Sequence, residues 1–306
     1  MSAPAQRGSR PTSTRIIVRR LVALLALVGA LGAAVWLASK AVSSVGDDEA
    51  APPPPATTTA ATPPPKPLRI VFPEGFTREQ MAARITAVDR IAREKRKVEP
   101  LLSEREYLSL TRVSRLPAEF AEDGTRRHLE GFLFPATYDF TAKTTTRQLV
   151  EKQLTAFRRA WRRVDLKEAR AKNLTPYDVL IIASMVEKET IAPEERPLVA
   201  AVIYNRLKAG MPLGIDATIR YGLDVPGTEP LRQSQLESDN PYNTRNRQGL
   251  PPTPIANPGL ASIQAAAHPA KVDYLYFVRK PDKVHHFFTA SESEFYAKAC
   301  EYGYGC

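Results

Sequence analysis

A run of 19 residues without a single charge, 21–39, constrains the layout of this chain more than any other feature. A helix of that length is about as long as the hydrocarbon core of a bilayer is thick. Five arginines and no acid precede it: Arg7, Arg10, Arg15, Arg19 and Arg20. The positive-inside rule therefore predicts a cytoplasmic tail over 1–20, a transmembrane helix over 21–39 and an extracytoplasmic remainder. A cleaved signal peptide is the alternative, but this apolar stretch is long for a signal core.

The following segment, 40–67, has the composition of a linker. Proline, alanine and threonine make up 51–67 apart from Lys66, and the proline runs at 52–55 and 63–65 favour an extended polyproline conformation. Such a segment is a semi-rigid spacer that holds a folded domain away from the bilayer. The folded part of the chain is therefore expected to begin near Leu68.

The formal net charge is +10, which raises the question of nucleic acid as a partner. The basic residues are spread from Arg78 to Lys172 among acids and do not cluster as in a reading helix. A solvated basic surface is the simplest interpretation, and anionic lipid or an anionic wall polymer suits the charge as well as DNA does. Nucleic-acid binding would also require the basic domain in the cytoplasm, against the N-terminal pattern, so we expect none.

Beyond Leu68 the pattern predicts an α+β fold. Residues 68–72 alternate as a strand, and Thr77 with Gln80 has the spacing of a capping box at the start of a helix. An amphipathic helix is expected over 146–163, and Thr175-Pro176 is a strong start signal for another that ends near Lys188. A further helix opens at Pro193. Two β-rich runs, 274–278 and 284–289, predict a hairpin, and Cys300 and Cys306 in the tail over 300–306 can form a small disulfide loop.

The helix that begins after Thr175 carries the most suggestive chemistry. It is apolar from Val179 onward and ends in two carboxylates, Glu187 and Glu189. Burial beside apolar residues raises a carboxyl pKa, as a general acid near neutral pH requires. Residues two positions apart on a helix point in directions about 200° apart. Glu187 and Glu189 therefore cannot face one cavity as the two carboxylates of an ordinary glycosidase do. The structural alternative is that both glutamates cap a helix or pair with a neighbouring cation: Lys188, Arg196 or Arg206.

Polar loops follow the helix, and their composition suits a polyhydroxylated ligand such as a sugar. Tyrosine rings stack on sugar rings, and asparagine and threonine hydrogen-bond hydroxyls, although loops of this kind more often only turn corners. His285 and His286 are adjacent on a predicted strand and point to opposite faces, so they cannot chelate one metal together. The phosphate-binding, dinucleotide-binding and nucleophile-elbow motifs are missing from the sequence. We expect neither a cofactor nor a metal.

Taken together, the motifs resemble the YceG-like family of endolytic murein transglycosylases. The similarity extends over about 68–296, and Ala183-Ser184-Met185-Val186-Glu187-Lys188-Glu189-Thr190 is similar to the family's signature helix. The other matching motifs, in chain order, are Leu129-Glu130-Gly131-Phe132-Leu133-Phe134-Pro135, Asp216-Ala217-Thr218, Tyr242-Asn243-Thr244, Gly249-Leu250-Pro251-Pro252, Ile255-Ala256-Asn257-Pro258-Gly259, His268-Pro269-Ala270 and Tyr274-Leu275-Tyr276-Phe277-Val278.

The resemblance implies a single-pass protein of the inner (plasma) membrane, with a small LysM-like subdomain over 68–127 and a catalytic domain over 128–299. It implies cleavage of the β-1,4 bond between N-acetylmuramic acid and N-acetylglucosamine in nascent peptidoglycan, leaving 1,6-anhydro ends and consuming no water. Peptidoglycan synthases are possible partners. One carboxyl group suffices, first as acid and then as base. A glycan-binding scaffold without activity is the alternative function.

The resemblance also assigns residues. The family's catalytic glutamate maps onto Glu187, with Glu189 as the fallback. The candidate sugar contacts are Asn205, Asp216, Thr218, Tyr221, Tyr242, Asn243 and Thr244.

Overall fold

The computed structural model describes residues 67–112, 116–120 and 126–304, all of them within one compact unit that runs from Pro64 onward. The predicted cytoplasmic tail, the transmembrane helix at 21–39 and all but the last residue of the linker lie outside the described residues, as does Cys306. Within the described ranges, every helix is too short or too polar to cross a membrane.

Ten helices and four strands make up the described part of the chain, so the predicted α+β class is confirmed. The helices are α1 Arg78–Arg96, α2 Glu104–Arg112, α3 Thr146–Trp161, α4 Lys167–Arg170, α5 Pro176–Glu189, α6 Arg196–Lys208, α7 Asp216–Gly222, α8 Gln233–Leu236, α9 Leu260–Ala267 and α10 Glu292–Glu301. Two short 3₁₀ turns, Ala118–Phe120 and Pro193–Glu195, precede β2 and α6 respectively.

The strands form two antiparallel pairs. The first sheet joins β1 (Leu68–Val71) to β2 (Thr137–Phe140), with Leu68 opposite Phe140. The second is the predicted hairpin, β3 (Tyr276–Arg279) with β4 (His286–Thr289), in which Arg279 lies opposite His286. Because β1 and β2 come from either side of the predicted boundary at 127/128, the segment 68–127 shares its sheet with the segment that follows.

The helix starts follow local sequence signals. Thr77, Thr145 and Thr175 each cap a helix with a complete capping box, satisfying backbone N–H groups that have no partner inside the helix. The predicted starts after Thr77 and at Thr175-Pro176 are confirmed. Pro193 instead opens a 3₁₀ turn, and the α-helix proper begins at Arg196.

One hydrophobic core runs through the described residues, from Ile70 in β1 to Ala267 at the end of α9. Helix α5 is central to it, because every residue from Val179 to Val186 is buried. Its neighbours are α6 and α9, and α9 is rich in alanine and serine, so the backbones can approach closely. A helix buried on all sides and exposed only at its last turn presents those last residues in a fixed orientation.

Candidate functional site

The last turn of α5 carries both glutamates out of the core. Glu187 and Glu189 are half-buried, Lys188 between them is exposed, and Thr190 ends the helix by bonding the carbonyl of Val186 through both its N–H and its hydroxyl. The two carboxyl groups contact different neighbours, as the helical spacing predicts.

Glu187 faces α9. Its Oε2 accepts a hydrogen bond of 3.0 Å from the backbone N–H of Gly259, the residue that caps α9. One turn earlier on the same face, Ser184 Oγ accepts a bond of 3.0 Å from the N–H of Ile255. Two successive turns of α5 are thereby tied to the loop over 255–259.

Glu189 faces the start of α7 instead. The backbone N–H of Ala217 is close enough to the Glu189 carboxylate to favour its charged form and lower its pKa. Burial raises the pKa of Glu189 to about 7, with the negative charge of Asp216 adding to the rise and the positive charges of Arg279 and Lys188 opposing it. A carboxyl group with this pKa is protonated in a substantial fraction of molecules at neutral pH, which suits a group that both donates and accepts a proton.

The charges around Glu189 are themselves held in place. Asp216 accepts a hydrogen bond of 2.7 Å from Nε of Arg245. Arg279 is at the end of β3, opposite His286, whose ring Nδ1 lies 2.7 Å from Glu195 Oε2 and whose N–H donates to Glu195 Oε1. Both partners of this His286–Glu195 contact are buried, so the hairpin is fixed to the segment that directly follows α5.

The cations proposed as structural partners of the two glutamates have other roles. Arg206 donates to the carbonyl oxygens of Leu275 and Leu213, and Arg196 donates to Ser262 Oγ. Lys188 Nζ donates to the carbonyl of Gly75 at 3.3 Å.

A third carboxyl group, Glu74, lies beside Glu187 and was missed by the sequence reasoning. It follows β1 and is exposed, and its carboxyl group occupies the space that a side chain at Gly259 would need. Burial of part of the side chain and the negative charge of Glu187 raise the pKa of Glu74, while Arg196 lowers it. Only the assembled fold brings Glu74 to this place, because 113 residues separate it from Glu187.

A fourth carboxyl group, Glu130, is fully buried behind the site. It accepts hydrogen bonds from the Arg78 N–H (3.1 Å to each oxygen), from Asn257 Nδ2 (2.6 Å) and from the Tyr221 hydroxyl (3.2 Å). Burial raises the pKa of Glu130 to about 8. Tyr221 belongs to α7, so Glu130 holds the helix whose first turn lies beside Glu189. A glutamate inside the apolar run 129–134 was the signal that could have identified it.

The predicted sugar contacts divide into two groups. Thr218, Asn243 and Thr244 are buried, and their side chains bind protein groups: the two threonine hydroxyls lie 2.9 Å apart, and Asn243 Nδ2 donates to the carbonyls of Leu236 and Ser238. Asn205 likewise donates to the carbonyls of Val272 and Tyr274. These four side chains hold the loops together.

The remaining three candidates are partly exposed. Asp216 stands beside Glu189, as described above. The rings of Tyr221 and Tyr242 pack edge to face with centroids 5.2 Å apart, and the Tyr242 hydroxyl lies 2.8 Å from Thr253 Oγ1. Asp216 is in the first turn of α7, beside Glu189, whereas the hydroxyl of Tyr221 in the last turn donates to the buried Glu130.

Comparison with known proteins agrees with the earlier resemblance. The YceG-like family matches residues 56–301. An endolytic murein transglycosylase of Bacillus subtilis (strain 168) is 34% identical over 220 residues, which are 69% of this chain and 59% of that protein. An endolytic murein transglycosylase of Streptococcus pneumoniae (strain R6) is 33% identical over 223 residues, 68% of this chain and 40% of that protein.

A crystal structure of a yceG-like protein from Listeria monocytogenes has the same fold. It is 29% identical to this chain, with a TM-score of 0.59 over 76% of each chain. The chain thus spans 59% and 40% of the lengths of these two curated relatives, and three quarters of the solved structure.

Proposed function

The chain belongs to the YceG-like family, and from the site at the end of α5 we propose that it is an endolytic lytic transglycosylase of peptidoglycan. It cleaves the β-1,4 bond between N-acetylmuramic acid and N-acetylglucosamine within the glycan strand and leaves 1,6-anhydro-muramic acid ends. One observation carries the proposal: a half-buried glutamate, Glu189, has a pKa of about 7 and lies at the end of the family's signature helix.

We assign the proton transfers to Glu189, the fallback of the sequence analysis. Each carboxylate has one backbone N–H beside it, that of Gly259 for Glu187 and that of Ala217 for Glu189, so the choice rests on the wider surroundings. Glu189 faces Asp216 and Arg279, and burial raises its pKa to about 7. A group that must exchange a proton with substrate needs a pKa near the working pH, and burial gives Glu189 that pKa.

The reaction balances with this one carboxyl group. Protonated Glu189 gives its proton to the glycosidic oxygen as the bond from that oxygen to the anomeric carbon of N-acetylmuramic acid breaks. The 6-hydroxyl of the same sugar then forms a bond to the anomeric carbon, and its proton passes to the Glu189 carboxylate. The acid is regenerated and no water enters. Between the two transfers, the Ala217 N–H and the charge of Arg279 stabilise the carboxylate.

Asp216, Tyr221 and Tyr242 remain our candidates for sugar contacts. Their partial exposure and their place on and beside α7 support this role. Asn205 is exposed to a similar degree, but its amide donates to the carbonyls of Val272 and Tyr274, so we do not retain it as a sugar contact.

The cellular setting is part of the same proposal. The uncharged run at 21–39 and the arginines before it support a single-pass anchor in the inner (plasma) membrane, with the catalytic domain outside the cytoplasm. Peptidoglycan synthases are possible partners there. The LysM-like character of 68–127 stays a prediction. The pairing of β1 with β2 supports a structural role for this segment as part of the catalytic fold. A reporter fused after Ala50 that scores as cytoplasmic would overturn the orientation.

The activity is tested on the full chain in detergent with purified peptidoglycan glycan, by mass spectrometry of the products. Wild type is expected to release fragments that end in 1,6-anhydro-muramic acid, and Glu189→Gln to release none. Glu194→Gln is the matched control, because Glu194 is an exposed carboxylate five residues further along the chain. Glycan binding without any anhydro ends from wild type would refute the enzyme and favour the scaffold.

A further inference from the structure

The contacts of Glu187 differ in kind from those of the proposed acid. Its Oε2 accepts from the N–H of Gly259, which is at the start of α9, where backbone N–H groups lack partners inside the helix. A serine, threonine or aspartate at this position would bind the N–H two or three residues further on with its side chain, and the N–H of the capping residue itself would still need an acceptor. Gly259 has none, and Glu187 supplies an acceptor from another helix.

The surroundings show why a glycine is placed there. A Cβ atom on Gly259 would overlap the carboxyl group of Glu74, which packs directly against the glycine. On the other side of the same turn, Gly75 is close to the Glu187 side chain, and its N–H donates to the Asn257 carbonyl at 2.9 Å. Three distant segments, 74–76, 187–188 and 257–259, therefore meet at the last turn of α5.

We infer that Glu187 is a positioning residue for catalysis: its bond to Gly259 holds the last turn of α5 so that Glu189 keeps its place against the start of α7. The inference rests on the proposed function, because it takes Glu189 as the acid. The Ser184–Ile255 bond fixes the preceding turn, and the Glu187–Gly259 bond extends that fixation to within two residues of Glu189.

Loss of this tie has a specific consequence for Glu189. Helix ends fray when their side-chain partners are removed, and frayed residues give up precise contacts first. The contact at stake is the approach of the Ala217 N–H to the carboxylate, which lowers the pKa of Glu189. The charged groups that face Glu189 are Asp216, Arg279 and Lys188, with Arg245 bound to Asp216, and none of them is altered by a change at Glu187.

The test compares Glu187→Gln, Glu187→Ala and Glu189→Gln in the full chain. Glutamine keeps an oxygen acceptor for the Gly259 N–H and removes only the charge. We expect Glu187→Gln to stay within about threefold of the wild-type kcat, since the acceptor is kept. We expect Glu187→Ala to lower kcat by about tenfold or more, because small displacements of a catalytic group are costly. In the alanine variant, the pH above which activity declines should also move upward.

The outcomes separate the two proposals. If Glu187→Gln loses activity as completely as Glu189→Gln while remaining folded, Glu187 is itself a proton-transfer group and the positioning role is wrong. If Glu187→Ala matches wild type in both kcat and pH profile, the tie has no effect on catalysis. Activity in Glu189→Gln would show that Glu189 is not the acid. The comparison of Glu187→Gln with Glu187→Ala would still show whether the bond to the Gly259 N–H affects catalysis. A fold defect alone lowers the yield of active protein and leaves the pH profile unmoved.

Discussion

The buried carboxyl group of Glu130 allows a quantitative prediction for the substitution Glu130→Gln. In the folded chain burial raises the pKa of Glu130 to about 8, compared with an ordinary value of 4.5. The ionised carboxylate accepts from the Tyr221 hydroxyl, whereas the protonated acid reverses that bond, donating to the Tyr221 oxygen while its other oxygen still accepts from Asn257. Glutamine reproduces this arrangement with its NH₂ group directed at Tyr221 and its oxygen at Asn257. The variant therefore keeps the shape of the neutral acid and cannot ionise.

The direction in which folding stability changes with pH follows from proton linkage. Above pH 4.5 the unfolded chain releases the proton of Glu130, while the folded chain retains it up to about pH 8. Folding stability from this group is therefore fully present below pH 4.5 and is lost as the pH rises toward 8. At about 1.36 kcal/mol per pH unit, the wild type loses about 2.5 kcal/mol relative to Glu130→Gln between pH 5 and pH 7.

Urea unfolding of both chains, followed by the fluorescence of the buried Trp161, measures this difference. The free energy of unfolding of Glu130→Gln minus that of wild type is expected to increase steadily from pH 5 to pH 7. Glu151→Gln is the control, because Glu151 is an exposed carboxylate on α3. Parallel pH dependences for wild type and Glu130→Gln would show that Glu130 is ionised in the folded chain, and would refute the reasoning.

Three further substitutions test the surroundings of Glu189 and the packing behind the site. Asp216→Asn removes a negative charge that raises the pKa of Glu189, so the decline of glycan cleavage at high pH should move to lower pH in a pH–rate profile. Arg279→Ala removes a positive charge that lowers the same pKa, and the decline should move to higher pH. Gly131→Ala should destabilise the fold by about 2 kcal/mol or more in thermal unfolding, since φ there is +89° and the new Cβ would lie 2.7 Å from the Pro254 ring.

Controls for these substitutions are available in the chain. Lys280→Ala removes the cation next to Arg279 in sequence and should leave the pH profile in place. Gly210→Ala shares a positive φ of +65° but has no atom within 4 Å of the new Cβ, so it isolates backbone strain from the clash at Gly131. If the pH profile moves in the same direction in Asp216→Asn and Arg279→Ala, the electrostatic explanation is wrong. If Gly131→Ala and Gly210→Ala destabilise the fold equally, the explanation by a clash at Gly131 is wrong.

The parts of the fold that sequence predicted are those governed by neighbours along the chain. The caps at Thr77 and Thr175 are hydrogen bonds between residues three positions apart in the chain, so the residue types at those positions predict them. The hairpin of β3 and β4 is equally local. The pairing of β1 with β2 is not local, so nothing in the sequence indicated that the segment 68–127 shares a sheet with the segment that follows it.

The same distinction applies to the site. Helical spacing predicted that Glu187 and Glu189 face different ways, but the choice between them depends on Gly259 and Ala217, which other parts of the chain supply. Thr218 and Asn243 were candidate sugar contacts from the family resemblance, and a sequence motif does not reveal whether a polar side chain binds a ligand or a group inside the protein. In the structure both side chains bind protein groups: the Thr218 hydroxyl binds that of Thr244, and the Asn243 amide donates to the carbonyls of Leu236 and Ser238.

The β1–β2 pair has a consequence for how the chain acquires its fold during synthesis. Leu68 pairs with Phe140, so β1 is synthesised roughly 70 residues before its partner, a delay of about 4 to 14 seconds at ordinary rates of translation. Through that interval the apolar side chains of Ile70 and Phe72, buried in the finished fold, have no sheet to cover them. Helix α1, with its own capping box, can form within the wait and shelter them. The first strand is therefore without its partner strand during this interval, and α1, which contacts β1 in the finished fold, is the first helix able to cover it.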